Sequence, residues 1–264
     1  MGSTVNSNTE TKGRLSVVGL GPGNPTQLTP EAEQALAAAD ILFGYGPYLA
    51  RIPERPGQQR RASDNREELA RAQEALAAAA AGARVAMVSG GDPGVYGMAA
   101  AVCEAIEHGP RDWRELALEI LPGITAMLAF AARVGAPLGH DFCAISLSDN
   151  LKPWEVIERR LEAAARGGFV IAFYNPTSRQ RPWQLGRAFQ LLAQHLPGET
   201  PVVFGHAIGR ADEKVTVASL RNAAEVTADM STCIIVGSAQ TRVVDREGSA
   251  PLIYTPRSIP SPNT

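Results

Sequence analysis

The stretch Ser89-Gly90-Gly91-Asp92-Pro93-Gly94-Val95-Tyr96-Gly97 separates two segments of different character. The apolar run before it, residues 84–88, predicts a strand, and the alanine-rich run after it, residues 98–106, predicts a helix. Glycines at such a junction let the backbone approach a ligand without an intervening Cβ, and the first amides of the helix are unpaired donors. The order of strand, turn and helix therefore favours an α/β fold with a ligand-binding turn at a strand end.

Asp92 has two interpretations at this stage. It precedes Pro93, so it resembles a helix N-cap followed by proline at the first helical position. It could equally contact a ligand directly. The sequence leaves both open.

Two further turns follow predicted strands. GLGPGN at Gly19–Asn24 follows a short β-rich run, and PGITA at Pro122–Ala126 follows another. GLGPGN matches the dinucleotide fingerprint only in its first half, because Asn24 stands where the third glycine should be. This disfavours a nicotinamide dehydrogenase. Thr125 could offer its hydroxyl to a ligand or simply begin a helix.

Composition and charge limit the classes of function that this chain can have. The chain has 264 residues, 45% hydrophobic and 20% charged, with a formal charge of -2, which argues against a general nucleic-acid binder. Three cysteines without CxxC spacing predict reduced thiols, and the four histidines show no metal-ligand pairing. No apolar run approaches the roughly 18 residues of a membrane span. We therefore expect a cytoplasmic protein without a metal or a membrane partner.

The element pattern restarts after about residue 136, which predicts two α/β domains. We place the N-terminal domain at residues 14–136 and the C-terminal domain at 137–257. The polar ends, residues 1–13 and 258–264, predict disordered tails.

The three turns, in this order and with these separations, together with FYNPTS at Phe173–Ser178, resemble the tetrapyrrole methylase family of S-adenosylmethionine-dependent methyltransferases. The resemblance covers about residues 14–257. Three further segments resemble the branch that methylates a precorrin and contracts its macrocycle in cobalamin biosynthesis: GYGPYLARI at Gly44–Ile52, SDNREELARA at Ser63–Ala72 and YNPTSRQRPWQL at Tyr174–Leu185.

The resemblance implies two α/β domains with mixed, mostly parallel sheets, a cofactor cleft between them and a homodimer. It implies S-adenosyl-L-methionine as the cofactor and S-adenosyl-L-homocysteine as the product. Residue by residue, it implies cofactor contacts at Pro22, Gly91, Asp92, Val95, Thr125, Ala126, Tyr174, Asn175 and Thr232.

A tetrapyrrole substrate carries carboxylates, which arginine and lysine bind best. The basic stretch at residues 51–61 predicts a surface loop, and more cations follow strand ends in the second half. The candidate substrate-binding residues are Arg51, Arg55, Lys152, Arg179 and Arg181.

Ring contraction would benefit from a proton donor or acceptor. Asp92, Tyr45 and Tyr96 are candidates, although spacing singles out none of them, and tyrosines more often pack than catalyse.

Other functions stay open from the sequence. The chain could be another tetrapyrrole C-methyltransferase, acting on cobalt-factor III, on a different ring carbon or on uroporphyrinogen III. It could also be a non-catalytic protein that binds and channels tetrapyrroles.

Overall fold

A computed structural model of the chain describes residues 13–64, 67–178 and 180–258. The chain divides into two compact units, residues 1–125 and 126–264. The domain limits that the sequence suggests, with a boundary between residues 136 and 137, stay a prediction. The predicted disordered tails lie almost wholly outside the described residues.

Unit 1 contains a five-stranded sheet in the order β3-β2-β4-β1-β5, and its neighbouring strands all run parallel. Parallel sheets are covered on both faces, so their strands are continuous apolar runs; β1 and β4 are buried over their last five residues. The strands are β1 (Arg14–Gly19), β2 (Ile41–Tyr45), β3 (Gln59–Ser63), β4 (Arg84–Ser89) and β5 (Ala117–Leu121).

The helices of unit 1 connect these strands. Thr29 caps the first of them, since its hydroxyl accepts from the amide of Ala32 at 3.2 Å, and Pro30 occupies the first helical position. Leu15, Val17 and Met87 of the sheet pack with alanines and Leu76 of the third helix. The helices are α1 (Pro30–Ala38), α2 (Gly46–Leu49), α3 (Glu68–Ala80) and α4 (Met98–His108), and short 3₁₀ turns span Pro25–Gln27 and Arg111–Glu115.

Unit 2 contains a second five-stranded sheet, in the order β10-β9-β11-β8-β7. Only β7 and β8 pair in parallel; the other pairings are antiparallel. The expectation of mixed, mostly parallel sheets thus describes unit 1 better than unit 2. The strands are β7 (Phe142–Ser146), β8 (Val170–Tyr174), β9 (Pro201–His206), β10 (Lys214–Ser219) and β11 (Thr232–Val236).

A small three-stranded sheet, in the order β12-β13-β6, completes unit 2. Its strands are β6 (Gly135–Ala136), β12 (Arg242–Arg246) and β13 (Ser249–Tyr254). The helices of this unit are α5 (Ala126–Val134), α6 (Trp154–Arg166) and α7 (Gln184–Leu192), with a 3₁₀ turn at Ala223–Glu225. Three aromatic rings pack one after another between sheet and helix. The ring centroids of Phe173 and Phe189 are 6.3 Å apart, and those of Phe189 and Phe204 are 6.1 Å apart.

Candidate functional site

Three turns of unit 1 meet at one edge of its sheet. They follow the carboxyl ends of β1, β4 and β5, which are neighbours in the sheet. We call residues 19–24, 89–97 and 122–125 the three-turn cluster. Gly21 and Gly91 exchange two backbone hydrogen bonds, of 3.1 and 3.0 Å. The turns that the sequence singled out therefore form one structure, at the position where open α/β sheets bind ligands.

Glycine is required in this cluster by close backbone packing. A Cβ on Gly123 would lie 2.2 Å from the carbonyl oxygen of Gly91, and one on Gly19 would lie 2.7 Å from the amide nitrogen of Gly123. Gly21 and Gly91 also have φ values of +66° and +67°, which favour glycine. Any side chain at these positions would push the turns apart.

Asp92 links two of the turns through its carboxylate. Oδ1 accepts from the amide of Gly94 at 2.8 Å, and Oδ2 accepts from the amide of Gly123 at 3.0 Å. The N-cap interpretation of Asp92 is wrong, because α4 begins only at Met98, with Gly97 at the cap position. The amide of Met98 instead donates to the hydroxyl of Ser89, at 3.3 Å.

The structure brings the predicted cofactor residues of unit 1 together in this cluster. Pro22, Gly91 and Val95 are half-buried, and Thr125 is 4% exposed. The amide of Val95 donates to the carbonyl of Asp92. Backbone polar groups and small side chains line the cluster, which is the kind of surface that polar cofactors bind.

The remaining predicted cofactor residues belong to unit 2. Ala126 begins α5, and the hydroxyl of Tyr174 accepts from the next amide, that of Met127, at 3.0 Å. Asn175 adopts a φ of +50°, and its Nδ2 donates to the buried hydroxyl of Ser146 at 3.0 Å. Tyr174 and Asn175 therefore form a well-defined turn at the carboxyl end of β8.

Thr232 is buried at the start of β11. Its hydroxyl donates to Oδ1 of Asp229 at 2.9 Å and accepts from the Asp229 amide at 3.1 Å. Burial would raise the pKa of Asp229, but hydrogen bonds from Thr232 and Ser231 outweigh it and lower that pKa. The hydroxyl of Thr232 is thus already engaged within its own loop.

The two tyrosine candidates for proton transfer differ in their surroundings. Tyr45 ends β2, and its ring packs edge-on against Tyr48 at 5.4 Å. Tyr48 in turn lies over Gly90, since a Cβ there would come within 2.6 Å of its ring. Tyr96 has a φ of +53° and is 52% exposed. A non-glycine residue in this backbone conformation is uncommon and often marks a functional turn.

The basic stretch at residues 51–61 is only partly a loop. Arg51 donates from Nη2 to the carbonyls of Leu20 and Gly21, both at 3.1 Å, and thereby supports the first turn. Arg60 lies on β3 and donates to backbone carbonyls of the preceding segment. Arg55 is exposed, and Arg179 lies outside the described residues.

Lys152 and Arg181 lie in the loops after β7 and β8. Nη1 of Arg181 forms an ion pair with Oδ1 of Asp149 and lies 3.5 Å from the hydroxyl of Ser148. Burial would raise the pKa of Asp149, but the hydrogen bonds that its carboxylate accepts and the charge of Arg181 together outweigh burial and lower that pKa. Burial lowers the pKa of Lys152, whose Nζ donates to the carbonyl of Ser148 at 3.0 Å. These two cations therefore lie in different loops of unit 2 but both approach Ser148.

Two of the three free cysteines have raised pKa values. Burial raises the pKa of Cys143 to about 11 and that of Cys233 to about 12, so neither is a ready nucleophile. Within residues 13–64, 67–178 and 180–258, no group of three His, Cys, Asp or Glu side chains is arranged to hold a metal ion. The same residues contain no helix that is long and apolar enough to cross a membrane.

Sequence reasoning missed two contributors to the cluster. Ser89, the last residue of β4, fixes the start of α4, and Tyr48 covers Gly90. Both lie within segments that the sequence had singled out, but their partners depend on tertiary structure.

Comparison of the chain with known protein families, sequences and structures agrees with this architecture and with the three-turn cluster. The family model for Tetrapyrrole (Corrin/Porphyrin) Methylases matches residues 14–224. The chain belongs to this family.

Individual relatives and solved structures show which members of the family the chain is similar to. The chain is similar to "Precorrin-3B C(17)-methyltransferase" of Sinorhizobium sp, with 64% identity over 93% of this chain and 96% of that protein. It is 46% identical to "Cobalamin biosynthesis protein CobIJ" of Mycobacterium tuberculosis strain H37Rv, covering 94% of this chain but only 49% of that longer protein. Among solved structures, "Crystal structure of the methyltransferase CobJ" matches 92% of this chain and 100% of that chain, with a TM-score of 0.87 and 50% identity.

Proposed function

We propose that this chain is an S-adenosylmethionine-dependent methyltransferase that methylates precorrin-3B at C17 and contracts its ring to precorrin-4, in cobalamin biosynthesis. The observation that carries the proposal is the 64% identity, over nearly the whole chain, to a relative of that name. The three-turn cluster supports it independently, because it is a glycine-lined ligand site of the kind this family's reaction needs.

The residues present fit the cofactor. Glycine at positions 19 and 123 lets the three turns pack backbone against backbone, which brings their candidate cofactor residues together. The residues that would hold the cofactor are Pro22, Gly91, Asp92, Val95, Thr125, Ala126, Tyr174, Asn175 and Thr232. When bound, S-adenosyl-L-methionine supplies an electrophilic methyl group, and S-adenosyl-L-homocysteine remains.

The chain's own contribution to methyl transfer is positioning. Correct alignment of two reactants can lower a barrier by up to roughly 7–11 kcal/mol without acid or base catalysis. Asp92 serves this role through the two amides that its carboxylate accepts from. Because both oxygens are engaged, Asp92 is better suited to holding the turns than to proton transfer, which leaves Tyr45 and Tyr96 as the candidates for ring contraction.

Cations in the loops would bind the substrate's carboxylates. Arg55, Lys152 and Arg181 are suited to this, and Arg179, which lies outside the described residues, is a further candidate. Arg51 already holds the first turn through Nη2, so its main effect on the substrate would be indirect.

We also propose a homodimer in the cytoplasm. Val244 and Leu252 face each other in register on β12 and β13, and both are about two-fifths exposed, which suits contact with a second copy. The three cysteines are free thiols, as expected in a reducing compartment. Sedimentation equilibrium tests the dimer: a single species with twice the mass of the chain supports it, and a monomer at micromolar concentration refutes it.

The experiment that tests the function is direct. The purified protein is incubated without oxygen with precorrin-3B, cobalt-factor III or uroporphyrinogen III and with cofactor carrying a ¹³C-labelled methyl group. Mass spectrometry and NMR of the product should show one labelled methyl at C17 of a contracted ring, formed fastest from precorrin-3B. Faster turnover of either other substrate would reassign the activity, and tight tetrapyrrole binding without a product would indicate a carrier.

A further inference from the structure

Two contacts join the loops that follow β7 and β8 in unit 2. Asp149 pairs with Arg181, and the ring of Trp154 meets that of Trp183 edge-on at 4.8 Å. The short segment between Asp149 and Trp154 therefore runs alongside the segment between Arg181 and Trp183. Leu151 lies within the first of these segments, two residues after Asp149 and three before Trp154.

The two loops carry exposed apolar side chains. Leu151 is 98% exposed and Trp183 is 47% exposed, although Trp183 already uses part of its ring against Trp154. A single exposed leucine is ordinary, but a leucine in a loop that packs against a half-exposed tryptophan extends the apolar surface, and apolar patches mark binding surfaces. Both residues lie at the carboxyl edge of their sheet, since β7 and β8 run parallel and the loops follow their ends.

Cations border the patch. Among the described residues, the guanidinium of Arg181 makes hydrogen bonds only through Nη1, which leaves its Nε and Nη2 donors available. Two adjacent donors of a guanidinium match one carboxylate. Asp149 holds the guanidinium from its other side and thus acts as a positioning residue. Lys152 adds a second cation next to Leu151.

We propose that Leu151 and Trp183 form the apolar surface on which one face of the tetrapyrrole macrocycle rests, and that Arg181 binds a carboxylate on its rim. The patch combines a flat aromatic side chain, an aliphatic side chain and a bordering guanidinium with two adjacent N–H donors. An apolar ring with acidic arms is the ligand that this combination fits. The inference rests on the proposed function and adds to it the residues that contact the macrocycle.

The test uses Leu151→Ser and Trp183→Ala, with Phe169→Ala as a matched control. Phe169 is also exposed, at 37%, but it precedes β8 and so lies at the opposite edge of the same sheet. Steady-state kinetics give KM for precorrin-3B, and calorimetry gives the Kd for S-adenosylhomocysteine. Each patch variant should raise KM by about tenfold, equivalent to ~1.4 kcal/mol, and should leave the Kd unchanged. The control should change neither quantity.

The outcomes separate the two proposals. A wild type that leaves precorrin-3B unmethylated overturns the proposed function and this inference together. An active wild type whose patch variants keep their KM overturns the inference alone, as does a KM change that the control shares. A patch variant that changes the oligomeric state instead assigns the patch to contact between copies and also overturns it. Leu151→Ser keeps the test valid if Trp183→Ala fails to fold, because so exposed a side chain contributes no core packing.

Discussion

Replacing Gly123 with alanine should weaken cofactor binding more than any other single methyl group added to unit 1. The new Cβ would lie 2.2 Å from the carbonyl oxygen of Gly91 and 3.0 Å from backbone atoms of Gly19. These neighbours are backbone atoms, so no side chain can rotate away. The turns after β1, β4 and β5 must separate instead.

The magnitude follows from the cost of overpacking. Forcing an extra methyl group into a well-packed site costs typically about 1–3 kcal/mol. If separating the turns removes that much from the binding-competent arrangement, the Kd for S-adenosylhomocysteine should rise by about 5- to 150-fold, since each 1.4 kcal/mol is tenfold. The accompanying shift of the Asp92 bond to the Gly123 amide places the expected value in the upper half of that range.

Isothermal titration calorimetry with S-adenosylhomocysteine measures the effect, and urea unfolding shows what share of it is global stability. Gly186→Ala is the matched control, because a Cβ there has nothing within 4 Å and lies in α7. The control should keep its Kd and gain up to about 1 kcal/mol of stability from helix propensity. If Gly123→Ala binds S-adenosylhomocysteine as the wild type does, the turns do not form the cofactor site in the way we describe.

Three other changes have distinct expected outcomes. Asp92→Asn keeps one carbonyl oxygen but turns an amide group toward a backbone N–H, which loses one charge-assisted bond worth about 1.5–3 kcal/mol. The Kd for S-adenosylhomocysteine should therefore rise by about 10- to 150-fold, and calorimetry would contradict this by showing an unchanged Kd. Because Asp149 has a lowered pKa beside Arg181, its stabilising contribution is present above pH 3.8 and is lost as the pH falls through its folded-state pKa. Asp149→Asn should therefore lose less stability than the wild type in denaturant titrations below that pH, and parallel curves would refute the assignment. Thr29→Ala should lower the free energy of unfolding by about 1 kcal/mol through loss of the α1 cap, with the Kd for S-adenosylhomocysteine unchanged; equal midpoints in urea would show that the cap contributes nothing.

Local patterns predicted much of unit 1. Apolar runs that end in glycine turns identify β1, β4 and β5, and Thr29 with Pro30 identifies the start of α1, because these signals depend only on neighbouring residues. The sequence did not predict β3, because its arginines are typical of a surface loop. It lies at the sheet edge with largely exposed side chains, and parallel pairing with β2 rather than an apolar pattern stabilises it.

What the sequence could not supply were long-range partners and strand directions. Asp92 resembles a cap from its neighbours alone, but its second acceptor bond goes to an amide 31 residues away. In unit 2, β9 and β11 are apolar runs of the kind that parallel sheets contain, although they pair antiparallel with each other. The hairpin of β12 and β13 escaped prediction because its strands are largely exposed.

The order of strands in unit 1 constrains how a nascent chain can fold. β1 leaves the ribosome first, yet both of its neighbours, β4 and β5, come much later, so one of its hydrogen-bonding edges stays unpaired until Ser89 has been synthesised and the other until Leu121. At about 5–20 residues per second, translation exposes that apolar strand for several seconds. Ribosome-bound chains that stop before β5 should therefore be protease-sensitive and dependent on chaperones, whereas chains that extend well past it should resist digestion.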